Sequence, residues 1–256
     1  DSAIDRKIDA LMDQIYREKY WKTAGDAAKI AGWQKEVGEL AEAALQLAKG
    51  LPQSRWQAAA IKSLKAHMRE RATADSAVAI TPTFLVQTAC KLLPSKVRVT
   101  VDTGAHQLAV MAFVEAKNPY DVLVSRGLAT MAYGLPCGIG AAMADPTRHV
   151  VVFTGDGGLM MCAAELATAA QVGCKLTVIV FNDSSVALIG VKQKQRGFRR
   201  VGMDYSPSDF AKVAEGFGCR SFRVKKRSDL APALKKALAC KGTTVVDVIV
   251  DHSTYQ

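Results

Sequence analysis

Two runs of apolar residues, each leading into an aspartate motif, constrain the fold of this chain most strongly. Residues 149–154 read His-Val-Val-Val-Phe-Thr, and residues 176–182 read Leu-Thr-Val-Ile-Val-Phe-Asn. Neither run alternates regularly between apolar and polar residues, which is typical of strands covered on both faces of a parallel sheet. An interval of 24 residues separates the GDG motif of Asp156 from the ND motif of Asp183. One helix and one strand fill that interval, so both carboxylates are expected at the same edge of the sheet.

Strand and helix patterns alternate along residues 81–256, which predicts a doubly wound α/β fold with a parallel sheet and helices on both faces. The predicted strands are Val97–Asp102, Asp121–Ser125, His149–Thr154, Leu176–Asn182, Ser221–Val224 and Thr244–Val250. The predicted helices are Pro82–Leu93, Thr130–Ala144, Leu159–Val172, Pro207–Phe217 and Leu230–Ala239. Thr81-Pro82 and Ser206-Pro207 each resemble a helix cap followed by proline at the first helical position.

The first part of the chain has a different texture. Residues 1–72 carry apolar residues at helical spacing and no strand pattern, which predicts a helical segment preceding the α/β domain. Residues 73–80 are predicted to be a linker. Because the helical segment is too short for a large core of its own, it is expected to pack on the rest of the chain or on another chain.

Composition narrows the functional class. The net charge of +10 arises in residues 185–241, which hold fourteen Lys and Arg against four Asp and Glu. This basic segment shows no nucleic-acid-binding motif and no apparent aromatic support for one, so no nucleic-acid partner is expected. No apolar run approaches the roughly 18 residues of a membrane span, so no membrane partner is expected. The six cysteines form no CxxC pair and are interpreted as free thiols in a reducing, cytoplasmic compartment.

Four motifs follow predicted strands and should therefore share the carboxyl edge of the sheet, where open α/β sheets bind ligands. They are Asp102-Thr103-Gly104, Ser125-Arg126-Gly127, Gly155-Asp156-Gly157 and Asn182-Asp183. Two carboxylates beside glycine-exposed backbone amides suit a divalent cation that carries a diphosphate. Loop aspartates that cap turns, or a nucleoside-diphosphate binder on the same sheet, remain the alternatives at this point.

The ordered motifs of residues 98–250 resemble the diphosphate-binding domain of thiamine-diphosphate-dependent enzymes, and are most similar to the acetolactate synthase and 2-oxo-acid decarboxylase group. Residues 101–107 (VDTGAHQ) resemble the D-x-G-x-H-Q turn, and residues 127–136 (GLATMAYGLP) resemble the G-L-G-T-M-G-x-G-L-P stretch. The GDG and ND motifs match the GDG…NN signature, and residues 165–168 (ELAT) match E-L-x-T.

This resemblance implies thiamine diphosphate and Mg²⁺ as cofactors and assigns roles to individual residues. The side chains of Asp156 and Asp183 and the backbone carbonyl of Ser185 would ligate Mg²⁺. The cofactor would also contact Gly104, His106, Ala129, Met131, Gly157 and Gly158. Met131 is the residue with a catalytic role, because an apolar side chain at this position forces the folded cofactor shape. The carbonyl of Ala129 would accept a hydrogen bond from the aminopyrimidine.

Several residues depart from the family pattern. Asp183 replaces the usual asparagine and adds a negative charge at the metal, and Ala105 replaces a glutamine that is common in acetolactate synthases. Ala129 replaces a glycine, which is expected to be harmless if only its carbonyl is used. The stretch from Ser184 to Ile189 differs from that of the synthases, so the resemblance leaves the subfamily open.

The resemblance also implies a partner. The family activates its cofactor with a glutamate from a separate pyrimidine-binding domain, and residues 1–72 are too short for one. The chain is therefore expected to be a piece of a longer polypeptide, or a subunit whose partner supplies the glutamate, in a dimer or tetramer. The expected reaction is decarboxylation of a small 2-oxo acid and ligation to a carbonyl acceptor. Simple decarboxylation, and a non-catalytic homologue kept for assembly or regulation, remain alternatives.

Overall fold

The computed structural model describes residues 58–72, 76, 78–125, 127–251, 253 and 255. Within the predicted N-terminal helical segment, the described part is helix α1, Ala58–Ala72. Residues 1–57, half of the predicted linker (residues 73–75 and 77) and Arg126 lie outside the described residues, so the proposed division at 72 and 80 stays a prediction.

Six parallel strands form one sheet and confirm the predicted α/β class. They are β1 (Val97–Val101), β2 (Val122–Val124), β3 (His149–Gly155), β4 (Leu176–Asn182), β5 (Arg220–Val224) and β6 (Thr244–Ile249). Their order across the sheet is β2-β1-β3-β4-β6-β5, and every neighbouring pair is parallel. Each predicted strand is present within one residue at either end.

Helices connect these strands. They are α2 (Pro82–Cys90), α3 (Ala105–Phe113), α4 (Gly134–Ala144), α5 (Asp156–Cys162), α6 (Glu165–Val172), α7 (Ala187–Gln195), α8 (Phe210–Gly216) and α9 (Arg227–Ala239). Sequence patterns missed α3 and α7. They also merged α5 and α6, which are separated by a turn at Ala163 and Ala164.

Two predicted helix starts can be compared directly with the structure. Thr81 caps α2 as predicted, because its hydroxyl accepts a hydrogen bond from the N–H of Phe84 at 3.1 Å. The cap predicted at Ser206 is wrong: α8 begins at Phe210, and Asp209 caps it by accepting from the N–H of Lys212. The Phe210 N–H donates instead to the buried carboxylate of Asp247, which fixes the start of the helix against β6.

Apolar side chains cover both faces of the sheet, which explains why the strand sequences lack simple alternation. On β3, Val151 and Phe153 belong to a core shared with α2, α3 and α9. Val150 and Val152 belong to a second core shared with α4, α5, α6 and α8. Both cores contain side chains that are fully buried, as expected for a three-layer α/β sandwich.

The strand order reverses between β1 and β3, because the chain leaves β1 toward β2 on one side and continues from β3 toward β4 on the other. Loops at the carboxyl ends of such neighbouring strands diverge and leave a crevice between them. The segments after β1 and β3 carry His106 and Asp156, so the topology places the predicted site at this crevice.

The cysteines and the length of the helices can also be compared with the structure. All six cysteines are free thiols. Among the described residues, the helices are too short or too polar to cross a membrane.

Helix α4 offers a test of its packing on the sheet. A Cβ added at Gly138 would lie 2.6 Å from Cγ2 of Val152 and 3.3 Å from Cδ1 of Leu176. We expect Gly138→Ala to lower the free energy of unfolding by about 2 kcal/mol, because the tightly packed helix must move off the sheet. The measurement is chemical denaturation followed by circular dichroism.

Gly140→Ala is the matched control on the same helix, because a Cβ there meets no atom within 4 Å. Alanine favours helix over glycine, so this variant should be more stable by about 0.5–1 kcal/mol. Equal effects of the two substitutions would contradict the described packing of α4.

Candidate functional site

A cavity of about 440 Å³ opens at the carboxyl edge of the sheet. All nine residues to which the sequence assigned a role lie in its lining: Gly104, His106, Ala129, Met131, Asp156, Gly157, Gly158, Asp183 and Ser185. The structure therefore brings the predicted site residues together around one space, although the role of each remains a prediction.

The carboxylate of Asp156 joins the GDG and ND motifs directly. Asp156 is the first residue of α5 and is 2% exposed. Its Oδ1 accepts a hydrogen bond from the N–H of Gly157 at 2.8 Å. Its Oδ2 accepts from the N–H groups of Asp183 at 3.1 Å and Ser184 at 2.6 Å. The two aspartates, 27 residues apart in sequence, therefore meet in one small volume.

Both aspartates are held where negative charge is unfavourable. Burial raises the pKa of Asp183 to about 8, and the neighbouring Asp156 carboxylate adds to this effect. Burial likewise raises the pKa of Asp156, while the backbone N–H groups and the Tyr205 hydroxyl that faces it oppose that rise. Two close carboxylates of this kind are a suitable environment for a cation.

Within the part of the chain that the structure describes, there is no group of three or more His, Cys, Asp or Glu that could hold a metal ion. A metal at this site would therefore use two carboxylates and take its other ligands from backbone oxygen, water or a bound ligand. Mg²⁺ in proteins characteristically binds in this way, through one or two carboxylates plus substrate phosphates.

The loop after β4 is fixed from the side of the basic segment. Ser184 has a left-handed backbone conformation with φ of 56°, which turns the chain after Asp183. Ser185 then forms an isolated antiparallel bridge with Asp204. The Arg200 guanidinium donates to the Ser185 hydroxyl at 2.6 Å and forms an ion pair with Asp204. Arg200 thus has a specific structural role within the basic segment.

Asp102 links three loops of the site, and sequence analysis assigned it no role. The side chain is fully buried at the end of β1. It accepts hydrogen bonds from the Thr154 hydroxyl at 2.8 Å, from the Ala132 and Tyr133 N–H groups at 3.2 and 3.1 Å, and from the Thr103 N–H at 2.9 Å. The sequence signal that could have identified Asp102 is an acidic residue directly after a buried strand. Such a residue is rarely buried unless several hydrogen-bond donors surround its carboxylate.

The segment before α4 is a strained turn rather than the predicted start of a helix. Ala129 and Ala132 have φ values of 50° and 65° in the left-handed region. For residues with a Cβ this conformation costs roughly 1–2 kcal/mol. Alanine in place of glycine at 129 is therefore not without cost to the backbone, contrary to the expectation from sequence. Between the two alanines, Met131 extends toward α5, with its Cε 3.4 Å from the point that a Cβ on Gly157 would occupy.

His106 is buried beside the cavity and stacks on Phe181 with ring centroids 5.1 Å apart. Gly104 makes room for the ring, because a Cβ there would lie 2.7 Å from it. Burial lowers the pKa of His106 to about 4, so the imidazole is neutral near pH 7. Its Nε2 and the hydroxyl of Thr103 are buried without a hydrogen-bond partner among the described residues, which leaves polar atoms available for a ligand.

Helix α7 provides a wall of the cavity that sequence analysis did not identify. Its lining residues include Ala187, Leu188, Ile189 and Lys192, and Tyr255 also contributes. In the sequence, Lys192, Arg196 and Arg199 follow the ND motif and are candidates for contact with a substrate carboxylate, with a solvated basic surface as the alternative. The structure places Lys192 at the cavity, whereas Arg196 and Arg199 are exposed and outside its lining.

Cys162 follows the GDG turn but does not line the cavity. Its thiol donates to the carbonyl of Gly158 at 3.4 Å. Burial raises the pKa of this thiol to about 12, so it is protonated at neutral pH. Cys162 is therefore a partly buried packing residue in the unliganded protein.

Comparison with known proteins identifies the family to which the sequence around this site belongs. Residues 102–248 match the family model described as the thiamine pyrophosphate enzyme C-terminal, TPP-binding domain. The chain belongs to the thiamine pyrophosphate enzymes. The matched segment extends from Asp102, directly after β1, to Val248 in β6, and so contains strands β2 to β5, most of β6, both aspartate motifs and most of the cavity lining.

Curated relatives point to one branch of this family. The chain is 31% identical over 172 residues to acetolactate synthase of Bacillus subtilis and 30% identical over 174 residues to the catabolic acetolactate synthase of Raoultella terrigena. It is 33% identical over 154 residues to the mitochondrial acetolactate synthase catalytic subunit of Saccharomyces cerevisiae. These matches cover 67%, 68% and 60% of this chain, but only 30%, 31% and 22% of the relatives. The chain thus spans less than a third of the relatives that it matches.

Substitution by alanine should affect stability differently at the two glycines that follow Asp156. A Cβ at Gly158 would lie 2.3 Å from Oδ2 of Asp102, whereas a Cβ at Gly157 would make only ordinary contacts at 3.4 Å. We expect Gly158→Ala to lower the free energy of unfolding by about 2 kcal/mol, because Asp102 must give up part of its hydrogen bonding.

Gly157→Ala is the matched comparison for this prediction, and its stability should stay within about 0.5 kcal/mol of the parent protein. Thermal and denaturant unfolding without ligand measure both variants. A Gly158→Ala protein as stable as Gly157→Ala would contradict the close packing of Asp102 against α5.

Proposed function

We propose that this chain is the magnesium- and diphosphate-binding part of a thiamine-diphosphate-dependent enzyme. The proposed enzyme decarboxylates a small 2-oxo acid and ligates the remaining fragment to a carbonyl acceptor, as acetolactate synthases do. The observation that carries this proposal is the convergence of Asp156 on the backbone of the ND motif, inside a cavity lined by every predicted site residue.

The donor set fits Mg²⁺ and a diphosphate. Asp156 and Asp183 would provide carboxylate oxygens to the metal, and the Ser185 carbonyl a third protein oxygen. The cation would relieve the unfavourable burial of the two carboxylates. The Nε2 atom of His106, which has no partner among the described residues, is suited to a hydrogen bond with the diphosphate end of the ligand.

The remaining site residues would shape and orient the cofactor. Met131, held between two left-handed alanines, would support its folded conformation, and the Ala129 carbonyl would accept a hydrogen bond from the aminopyrimidine. When bound, thiamine diphosphate supplies a nucleophilic carbon and the electron sink for decarboxylation. The protein supplies position and exclusion of water, and Leu188 and Ile189 of α7 add apolar surface to the lining.

A second polypeptide region would complete the enzyme. The chain covers about 30% of the length of the bacterial acetolactate synthases that it matches, and the remaining 70% or so of those proteins has no counterpart in the match. We propose that a pyrimidine-binding domain or subunit provides the activating glutamate. We further propose that complete units assemble as a dimer or tetramer in the cytoplasm.

Calorimetry tests the cofactor site. The whole gene product, with any chain that copurifies, is titrated with thiamine diphosphate in the presence of Mg²⁺ and again with EDTA. Binding that requires Mg²⁺ is expected. Asp156→Asn should weaken it roughly 100-fold, because the side chain loses the charge that binds the cation and its NH2 cannot accept the backbone N–H groups that one carboxylate oxygen accepts in the parent. Asp229→Asn, at an exposed position of α9, is the matched control and should bind like the parent.

A competition titration with ADP separates the proposal from a nucleotide-binding function. Displacement of thiamine diphosphate by equimolar ADP, or binding that is unchanged both without Mg²⁺ and in Asp156→Asn, would overturn the cofactor assignment.

A separate experiment tests the reaction. Incubation with a panel of 2-oxo acids measures CO₂ release and carbon–carbon ligation by mass spectrometry. Release without ligation would favour a simple decarboxylase, and cofactor binding without either product would favour a regulatory homologue.

A further inference from the structure

The loop that contains the predicted metal ligands Asp183 and Ser185 has a backbone conformation that needs support from elsewhere. Ser184 lies between them with φ of 56°, and for a residue with a side chain this left-handed conformation costs roughly 1–2 kcal/mol. The Ser185 N–H donates to Oδ1 of Asp183 at 2.9 Å, but this bond lies within the loop itself. A costly backbone conformation persists only where the surrounding structure holds it, so contacts with another segment must fix this loop.

Residues 200–205, here called the strap, make contacts of this kind. The Val186 N–H donates to the carbonyl of Met203 at 2.8 Å. Next to this bond, Ser185 forms an isolated antiparallel bridge with Asp204. The loop is therefore paired with the strap at the second predicted ligand itself.

Arg200 connects the strap to the loop through side chains. Its Nη2 donates to the Ser185 hydroxyl at 2.6 Å, and its Nε donates to Oδ2 of Asp204 at 3.0 Å. Ser185 is only 5% exposed, so its bond to Arg200 differs from an exposed ion pair, which contributes about 0–1 kcal/mol. Arg200 itself lies outside the lining of the cavity, so its contact with the site runs through Ser185.

Helix α7 also packs against the Arg200 guanidinium. Gly190 is buried in this helix, and a Cβ there would overlap Nη1 of Arg200 and lie 3.2 Å from its Cζ. The absence of a side chain at Gly190 therefore leaves room for the guanidinium beside Ser185. One arginine thus contacts the strap, the loop and α7, and these contacts give its guanidinium a defined place.

We propose that Arg200 is a positioning residue of the metal site, which holds Ser185 so that its carbonyl and the Asp183 carboxylate meet one Mg²⁺ ion. This inference rests on the proposed function. Mg²⁺ demands nearly ideal octahedral geometry at short distances, whereas Ca²⁺ accepts longer distances and irregular geometry. A residue that sets the positions of ligands should therefore matter more for Mg²⁺ than for Ca²⁺.

Arg200→Met tests the proposal, with Lys194→Met as the matched control because Lys194 is an exposed residue of the same basic segment and loses the same charge. Calorimetry on the whole gene product, with any chain that copurifies, measures the affinity for thiamine diphosphate in Mg²⁺ and separately in Ca²⁺. Arg200→Met should bind about tenfold more weakly in Mg²⁺ and less than about threefold more weakly in Ca²⁺. Lys194→Met should bind like the parent with both ions.

Gly190→Ala tests the place of the guanidinium without a change of charge. The added Cβ should displace Arg200 from Ser185, so binding in Mg²⁺ should weaken about tenfold, as in Arg200→Met. Gly140→Ala, within another helix and with no atom within 4 Å of its added Cβ, is the matched control and should bind like the parent. Parent-like binding by Gly190→Ala would overturn the inference. Thermal unfolding without ligand verifies that each variant is folded under the titration conditions.

The titrations separate the inference from the proposed function. If the parent binds thiamine diphosphate with Mg²⁺ and Arg200→Met binds it equally well, the inference falls and the proposed function stands. Equal losses in Mg²⁺ and Ca²⁺ would indicate a general structural or electrostatic effect of Arg200, and would also overturn the inference alone. If the parent shows no Mg²⁺-dependent binding, the proposed function and the inference fall together.

Discussion

The buried carboxylate of Asp102 is the interaction on which the rest of the site depends. Its hydrogen bonds tie the end of β1 to the Met131 turn through Ala132 and Tyr133, and to β3 through Thr154. The two left-handed alanines make this turn costly in backbone energy. Hydrogen bonds to a buried carboxylate are among the stronger ones in proteins, so a single side chain can hold the three segments in register.

A second buried acid has the corresponding role on β6, nearer the opposite edge of the sheet. Asp247 on β6 accepts from the Asn182 amide at 2.8 Å and from the Phe210 N–H at 3.1 Å, and pairs with Arg223 at 3.0 Å. The first residue of the ND motif therefore points into the sheet and anchors the end of β4, while the second lies at the cavity. Asn182 thus has a structural position, whereas Asp183 faces the cavity.

Much of this arrangement was predictable from sequence, for identifiable physical reasons. Strands that are covered on both faces produce apolar runs such as residues 149–154 and 176–182, and these runs were located to within a residue. Motifs after parallel strands must share one edge, so the grouping of Asp156 with Asp183 followed from chain order. Helix α7 and the late start of α8 were missed because long-range contacts decide them: Asp247 holds the Phe210 N–H from 37 residues away.

The alanines at 129 and 132 affect more than backbone energy. A methyl group disfavours the left-handed conformation that glycine adopts freely, so contacts from elsewhere in the fold must hold this turn. The Asp102 carboxylate supplies such contacts through the N–H groups of Ala132 and Tyr133, and Met131 therefore stands on a segment that is already fixed in the folded chain. For the ligand proposed above, a turn that is fixed beforehand would leave less conformational entropy to lose on binding.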